Sequence, residues 1–291
     1  MSKIIFGIDV GGTTCKCGTF SKEGELLRKE EIPTRKDEGG SLILPDISEY
    51  IKGVLADMNM TTEDVAGIGM GLPGACLEDG TVNKCINLDW GVFNAANALS
   101  ELTGIPVKIG NDANMAALGE FWVGGGSEYN SMVMVTIGTG VGGGVIIDGK
   151  PLYGFNGAAG EIGHLPLVEG ETESCNCGKK GCLEQVASAT GIVRMANRML
   201  AESDMPSSLR SVPYISAKVI FDEAKGGDAL AIQVTEYVCR YLGKGLACAA
   251  GMVDPEVFVI GGGVSAAGEY FINLIDKYYR NVCSMRADRL R

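Results

Sequence analysis

Positive charge is scarce in this chain: its 291 residues carry 25 Lys and Arg against 36 Asp and Glu, a formal net charge of −11. A nucleic-acid-binding surface normally declares itself as a basic face, so that class is set aside. Any anionic ligand must then be held locally, by backbone N–H groups and metal ions. No apolar run reaches bilayer length, and no positively charged leader precedes a long apolar segment over residues 1–15. The expectation is a cytoplasmic protein with no membrane partner. Histidine is rarer still, with His164 alone. Cysteine is not scarce at ten, but disulfide scaffolds are typically short secreted chains, and three of these ten fall in one cluster.

What is present is enough chain to bury a sizeable core, with 46% hydrophobic residues and 43 glycines, which fits a turn-rich α/β protein of two domains. Lys3 to Val10 reads as a buried strand, Gly11-Gly12-Thr13-Thr14 turns it, Cys15 to Phe20 returns, and Ser21-Lys22-Glu23-Gly24 closes a hairpin. The plan then repeats. Ser131 to Ile137 is a short apolar strand, Gly138-Thr139-Gly140 turns it, and Val141 to Ile147 returns to a hairpin at Asp148-Gly149. Glycines with hydroxyls at a strand turn let N–H groups approach a phosphate, and Asp9 beside the first turn is placed to hold Mg²⁺ through water. The alternative is an ordinary glycine hairpin with Asp9 solvated. Two such copies could clamp a nucleotide from both sides. A third glycine turn, Gly261-Gly262-Gly263, ends the strand Val257 to Ile260 and precedes helical spacing over Val264 to Ile272. It permits either a flat ligand against the backbone or close packing of strand on helix.

Between these copies, Ser48 to Met58 has helical spacing, Val65 to Met70 reads as a strand, and Gly71-Leu72-Pro73-Gly74 makes a rigid turn. Asn87-Leu88-Asp89-Trp90 reads as a loop in which Trp90 either joins the core or stacks on an apolar sugar face. Phe93 to Leu102, Ala187 to Leu200 and Ala229 to Met252 read as helices, and Met205 to Pro213 as a polar loop. The stretch Ile109-Gly110-Asn111-Asp112-Ala113-Asn114 joins the apolar Pro106 to Ile109 to a run of helical spacing. Asp112 at that junction is either a helix N-cap or a general base at the carboxyl end of a strand, where open α/β sheets place their ligands.

The cysteines in Cys175-Asn176-Cys177-Gly178-Lys179-Lys180-Gly181-Cys182, with His164 a loop away in Gly160-Glu161-Ile162-Gly163-His164, match the Cys3His set of a tetrahedral zinc site. Unliganded reduced thiols are the alternative. Four protein ligands leave no open position, so the metal would be structural and would fix the segments that carry Glu161 and Glu184. A ring nitrogen of His164 on the metal would leave the other protonated, as a donor to a substrate hydroxyl.

These motifs together, from Ile5 to Gly268, resemble the ROK family (repressors, open reading frames and kinases), and within it the bacterial glucokinase branch. The residues that carry the resemblance are Asp9 to Thr13, Gly110 to Asn114, Ile137 to Gly140, Gly160 to His164, Cys175 to Glu184 and Gly261 to Gly263. The resemblance implies the actin-like, ribonuclease-H-like duplicated α/β fold in two domains with an interdomain cleft, a small one over 1–115 and a larger zinc-bearing one over 116–291, usually in homodimers or homotetramers. It implies ATP-dependent phosphorylation of a hexose 6-hydroxyl, glucose first, with Mg²⁺ and a structural Zn²⁺. Asp112 matches the general base. Gly74, Asn111, Asp112, Glu161, His164 and Glu184 match the sugar side. Asp9, Gly11, Gly12, Thr13, Thr14 and Lys16 match the first phosphate loop, Thr139 and Gly140 the second, and Gly262 and Gly263 the adenosine side. His164, Cys175, Cys177 and Cys182 match the zinc ligands. The family also contains sugar-sensing repressors, which carry an amino-terminal helix-turn-helix, whereas here the first strand begins at Lys3. Family members usually continue to a glycine- and alanine-rich segment and a final helix, whereas this sequence ends at Arg291.

Overall fold

A computed structural model describes residues 3–283 and Leu290; the chain end at Arg291 lies outside the described residues. The chain divides into two compact units, one of Met1–Ala116 with Leu152–Ala159 and one of Ala117–Pro151 with Gly160–Arg291. The return of Leu152–Ala159 to the first unit has no counterpart in a single cut of the sequence.

The first unit runs β1 (Ile4–Val10), β2 (Thr14–Ser21), β3 (Leu26–Pro33), a four-residue turn α1 (Asp37–Gly40), α2 (Ile43–Asp57), β4 (Val65–Leu72), β5 (Thr81–Cys85), β6 (Trp90–Asn94), α3 (Ala95–Thr103) and β7 (Val107–Asn111). Its main sheet has the order β3-β2-β1-β4-β7, with β1, β2 and β3 antiparallel and β4 and β7 parallel to β1. Ile4, Phe6, Ile8 and Val10 alternate into the core as a strand's period of two requires. They share one core cluster with Ile43, Ile47 and Ile51 of α2, each such side chain stabilising the fold by about 1.5–3 kcal/mol when fully buried. Trp90 opens β6 only 5% exposed, and its Nε1 donates to the Gly40 carbonyl at 3.0 Å. Of its two readings, the core one holds.

The helix α4 (Asp112–Val123) follows, and the division between units falls within it. The second unit continues with β8 (Met132–Ile137), β9 (Val141–Ile147), β10 (Lys150–Pro151), α5 (Glu184–Ala187), α6 (Ala189–Glu202), α7 (Ala217–Lys225), α8 (Ala229–Val253), β11 (Val257–Gly261) and α9 (Glu269–Val282). Its sheet has the order β10-β9-β8-β11, again antiparallel through three strands and parallel into the fourth. The same winding therefore occurs twice. β8 is apolar except at Thr136 because it is covered on both faces. Val133, Val135 and Ile137 join the cluster built by α6 to α9, while Met132 and Met134 pack with Ala117, Ile146, Val257 and Val259.

Two helices expected from spacing are broken. Val264 to Ile272 divides into a 3-10 turn over Gly263–Ala267 and α9, because Gly268 takes φ +72° between them. Ala187 to Leu200 divides at Ser188, whose hydroxyl accepts from the Gly191 N–H at 3.0 Å and starts α6 as its cap. Among the described residues no helix is long and apolar enough to cross a membrane.

Candidate active site and metal centre

In the first unit the parallel strands bring their carboxyl ends to one edge. Asp9 lies opposite Gly71, Gly71 opposite Gly110, and Leu72 opposite Asn111. Asn111 closes β7, and its Oδ1 accepts from the N–H groups of Ala113 at 2.9 Å and Asn114 at 3.4 Å. Those are the bonds of an N-cap, so the capping role considered for Asp112 belongs to its neighbour. Asp112 becomes the first residue of α4, with Oδ1 accepting from the Ala113 N–H at 2.8 Å. It is exposed, yet burial by the surrounding protein is the largest influence on its carboxyl and pushes the pKa up; the Ala113 N–H pulls it down, and the charge of Asp9 pushes it up again. The group therefore holds its proton to higher pH than an ordinary aspartate.

The Asn111 amide also donates to the Gly74 carbonyl at 3.3 Å, tying the cap to the Pro73-Gly74 turn. Cys76 donates to the same carbonyl at 3.6 Å and Cys85 to the Pro73 carbonyl at 3.2 Å. Burial pushes both thiols up, Cys76 to about 12, so at neutral pH they serve as donors rather than nucleophiles.

The first glycine turn is closed by the Gly11 N–H, which donates to the Thr14 carbonyl at 3.0 Å. Thr34 secures it: its hydroxyl donates to the Gly11 carbonyl at 2.8 Å and its N–H to the Thr13 carbonyl at 2.9 Å. A Cβ at Gly12 would meet nothing within 4 Å, so the open face of the turn is backbone alone. Lys16 stands across the ladder from Asp9, 3.7 Å away, with both side chains 56% exposed. Such an exposed pair adds little stability and leaves both charges available to a ligand.

In the second unit the Gly138 N–H donates to the Gly140 carbonyl at 2.9 Å, and Thr139 in the turn's middle is exposed. The Ala189 N–H and the Thr190 hydroxyl, at the start of α6, donate to the carbonyls of Gly138 at 2.8 Å and Thr139 at 3.0 Å. Glu184 Oε2 accepts from the Val141 N–H at 2.9 Å. In the third glycine run two neighbouring positions differ in the room they offer. Gly262, at φ +84°, has no room for a Cβ, which would lie 2.5 Å from the Ile137 carbonyl oxygen, whereas a Cβ at Gly263 would meet nothing.

The cysteine cluster closes as its spacing required. One ligand atom from each of His164, Cys175, Cys177 and Cys182 lies within 4.8 Å of all the others. Cys177 Sγ and Cys182 Sγ are 3.5 Å apart, and Cys175 Sγ is 3.9 Å from His164 Nδ1. Tetrahedral zinc, with Zn–S bonds of about 2.3 Å, sets its sulfurs about 3.8 Å apart, so the donor set and its dimensions fit that ion. The other ring nitrogen of His164 faces Glu161, with Nε2 3.8 Å from Oε2. Glu184 Oε1 lies 3.7 Å from Cys175 Sγ.

The sequence reading missed Thr34, Thr190 and Gln185. Thr34 follows β3, a strand whose charged, half-exposed residues give no apolar alternation to detect. Thr190 and Gln185 are found only through their contacts, which no spacing predicts.

A model of the ROK family matches residues 5–288. The chain is 42% identical over 277 residues to the glucokinase of Halalkalibacterium halodurans, covering 94% of this chain and 84% of that protein. Among solved structures it is similar to the ROK hexokinase from Thermus thermophilus, with a TM-score of 0.80 and 32% identity over 99% of this chain and 92% of that one. It is also similar to a ROK family glucokinase from Streptomyces griseus in complex with glucose and AMPPNP, with a TM-score of 0.72 and 31% identity over 99% and 93% of the two chains.

Proposed function

The chain belongs to the ROK family, and we propose that it is a sugar kinase that transfers the γ-phosphoryl group of ATP to the 6-hydroxyl of a hexose, glucose before others. Its repeated sheets are the two halves of the actin-like, ribonuclease-H-like fold. Relatives described as glucokinases support the acceptor. The observation that carries the chemistry is Asp112, a carboxylate on the first turn of α4, relieved of capping by Asn111 and raised in pKa by burial.

In the proposed reaction Asp112 accepts the proton of the 6-hydroxyl as that oxygen bonds to the γ-phosphorus and the bond to the β–γ bridging oxygen breaks, releasing ADP. Positioning and charge neutralisation dominate such a transfer. Backbone N–H groups of the turns at Gly11 to Thr14 and Gly138 to Gly140 are assigned to the phosphates, with Lys16 beside the first, and Gly262 and Gly263 to the adenosine. Gly74, Asn111, Glu161, His164 and Glu184 are assigned to the sugar, since carboxylates and amides can bridge neighbouring hydroxyls. The orientation of His164, Nδ1 toward the cysteines and Nε2 toward Glu161, supports a ring donating on its sugar side. Mg²⁺ brought with ATP, for which Asp9 is the assigned carboxylate, would supply charge neutralisation. Zinc on His164, Cys175, Cys177 and Cys182 would supply a structural tether. The same reading carries a cytoplasmic location and a homodimer or homotetramer, the second of which sedimentation of the purified chain tests.

The deciding experiment is a coupled assay with ATP across glucose, mannose, fructose, allose, N-acetylmannosamine and N-acetylglucosamine. Highest kcat/KM on glucose is the expected result. A better rate on another hexose corrects the acceptor alone, and no turnover on any of them removes the kinase reading.

A further inference from the structure

The four metal-ligand candidates sit on two separately built pieces of backbone. His164 and Cys182 belong to one ladder: the Leu183 N–H donates to the Leu165 carbonyl and the Val168 N–H to the Gly181 carbonyl, each at 2.9 Å, with Pro166 opposite Cys182. Cys175 and Cys177 belong to a knuckle closed on itself, where the Cys175 N–H donates to the Lys179 carbonyl at 2.7 Å and the Gly178 N–H to the Cys175 carbonyl at 2.8 Å. A metal needs the distance between these two pieces fixed.

Gln185 spans them. It is 7% exposed, and its Oε1 accepts from the N–H groups of Gly181 at 2.8 Å and Cys182 at 3.1 Å. Its Nε2 donates to the carbonyl of Glu173, two residues ahead of Cys175, at 3.0 Å. A primary amide offers an acceptor and a donor at the two corners of one rigid plane. It can grip one arm by its N–H groups and the other by a carbonyl. The main chain that carries the amide is held from α6, where Arg194 Nη2 donates to the main-chain carbonyl of Gln185 at 2.6 Å and to Glu171 Oε2 at 3.0 Å. Glu171, with its side chain 1% exposed, is also bound by Arg198.

We propose that Gln185 is a positioning residue of the metal centre, a clasp that sets the spacing between Cys182 and the Cys175 knuckle and thereby slows loss of the ion. The proposal rests on the zinc assignment and is independent of the sugar the enzyme takes. With the clasp removed, the knuckle would keep its covalent link through Lys180 and the ties of Glu171 and Glu173 to Arg194 and Arg198, but its distance from Cys182 would be less tightly fixed, and each transient opening would expose the ion to competing ligands.

The test is zinc release from the purified, metal-loaded protein into excess chromophoric chelator, following the parent, Gln185→Leu and Gln185→Glu. Groups beyond the ligands that orient a site typically contribute about 10–100-fold to metal affinity. Gln185→Leu, which loses both grips, is expected to release zinc at least about tenfold faster. Gln185→Glu, which keeps the acceptor and loses the donor, is expected to fall between. If Gln185→Leu does not fold, the Gln185→Glu rate alone decides. Loaded variants that release zinc at the parental rate overturn the clasp, whereas a parent that carries no zinc overturns the metal assignment and the clasp with it.

Discussion

The two glycine turns share a plan and differ in what secures them. Gly11 to Thr14 is held by a neutral group, the Thr34 hydroxyl and N–H on the carbonyls of Gly11 and Thr13. The turn at Gly138 to Gly140 is held by the start of α6 and by a charge, the Glu184 carboxylate on the Val141 N–H. The repeated fold dictates strand, turn and strand, and leaves the anchoring to local chemistry. The consequence is a difference in coupling. The anchor of the first turn has no part in the Asn111, Asp112 and Gly74 network. The anchor of the second is also a sugar-ligand candidate and a neighbour of the Cys175 thiol, so in that unit one carboxylate joins the proposed phosphate turn to the loop of metal-ligand candidates.

That contrast can be broken by mutation. The largest effect belongs to Asp112→Asn, which should lower kcat by about 10²–10⁴, the usual weight of a general base. KM for ATP and the melting temperature should hardly move, because Asn111 keeps the cap. A loss of ATP affinity in that variant would show that the first turn and the acceptor side are not independent. The pH profile sharpens the point. A base must be deprotonated, and the Asp112 pKa is raised, so kcat/KM of the parent should fall on acidification from a pH above the ordinary aspartate value of about 3.9. A limb at or below that value would contradict the raised pKa.

Glu184→Ala comes next. A hydrogen bond to a charged group contributes about 1.5–3 kcal/mol, so removing this one should cost roughly tenfold to a hundredfold. The loss should appear in KM for hexose and for ATP together, and an effect confined to one substrate would undo the coupling. The smallest effect is Thr34→Val, which removes the neutral hydrogen bond to the Gly11 carbonyl, of about 1 kcal/mol, together with a weaker contact to the Cys15 thiol. KM for ATP should rise about fivefold with KM for hexose unchanged, as steady-state kinetics at saturating co-substrate would show.

Much of the site was legible in the sequence because its signals are local. Glycine turns after apolar strands and a C-x-C-x4-C run with one histidine are read without knowing the fold. Asn111 and Asp112 mark the limit of that reading. Either side chain suits a helix start, and only the bonds from Ala113 and Asn114 give the cap to Asn111 and free Asp112. Strands β3, β5 and β6 were invisible for a different reason. β3 is rich in charge and nowhere fully buried, and β5 and β6 are five residues long with no regular apolar alternation, so tertiary pairing forms them rather than propensity. Long-range anchors such as Thr34 on Gly11 and Glu184 on Val141 join residues 23 and 43 positions apart, and no periodicity encodes them.

The distribution of thiols has a practical corollary. Cys15, Cys17, Cys76, Cys85 and Cys239 are buried, and burial raises the pKa of each, so electrophiles at neutral pH find them protonated and out of reach. Cys177 and Cys248 are the exposed ones. With an ion held as proposed, its loss would be announced by alkylation at Cys177 while the chain is still folded, one adduct beyond the one that exposed Cys248 takes in either state.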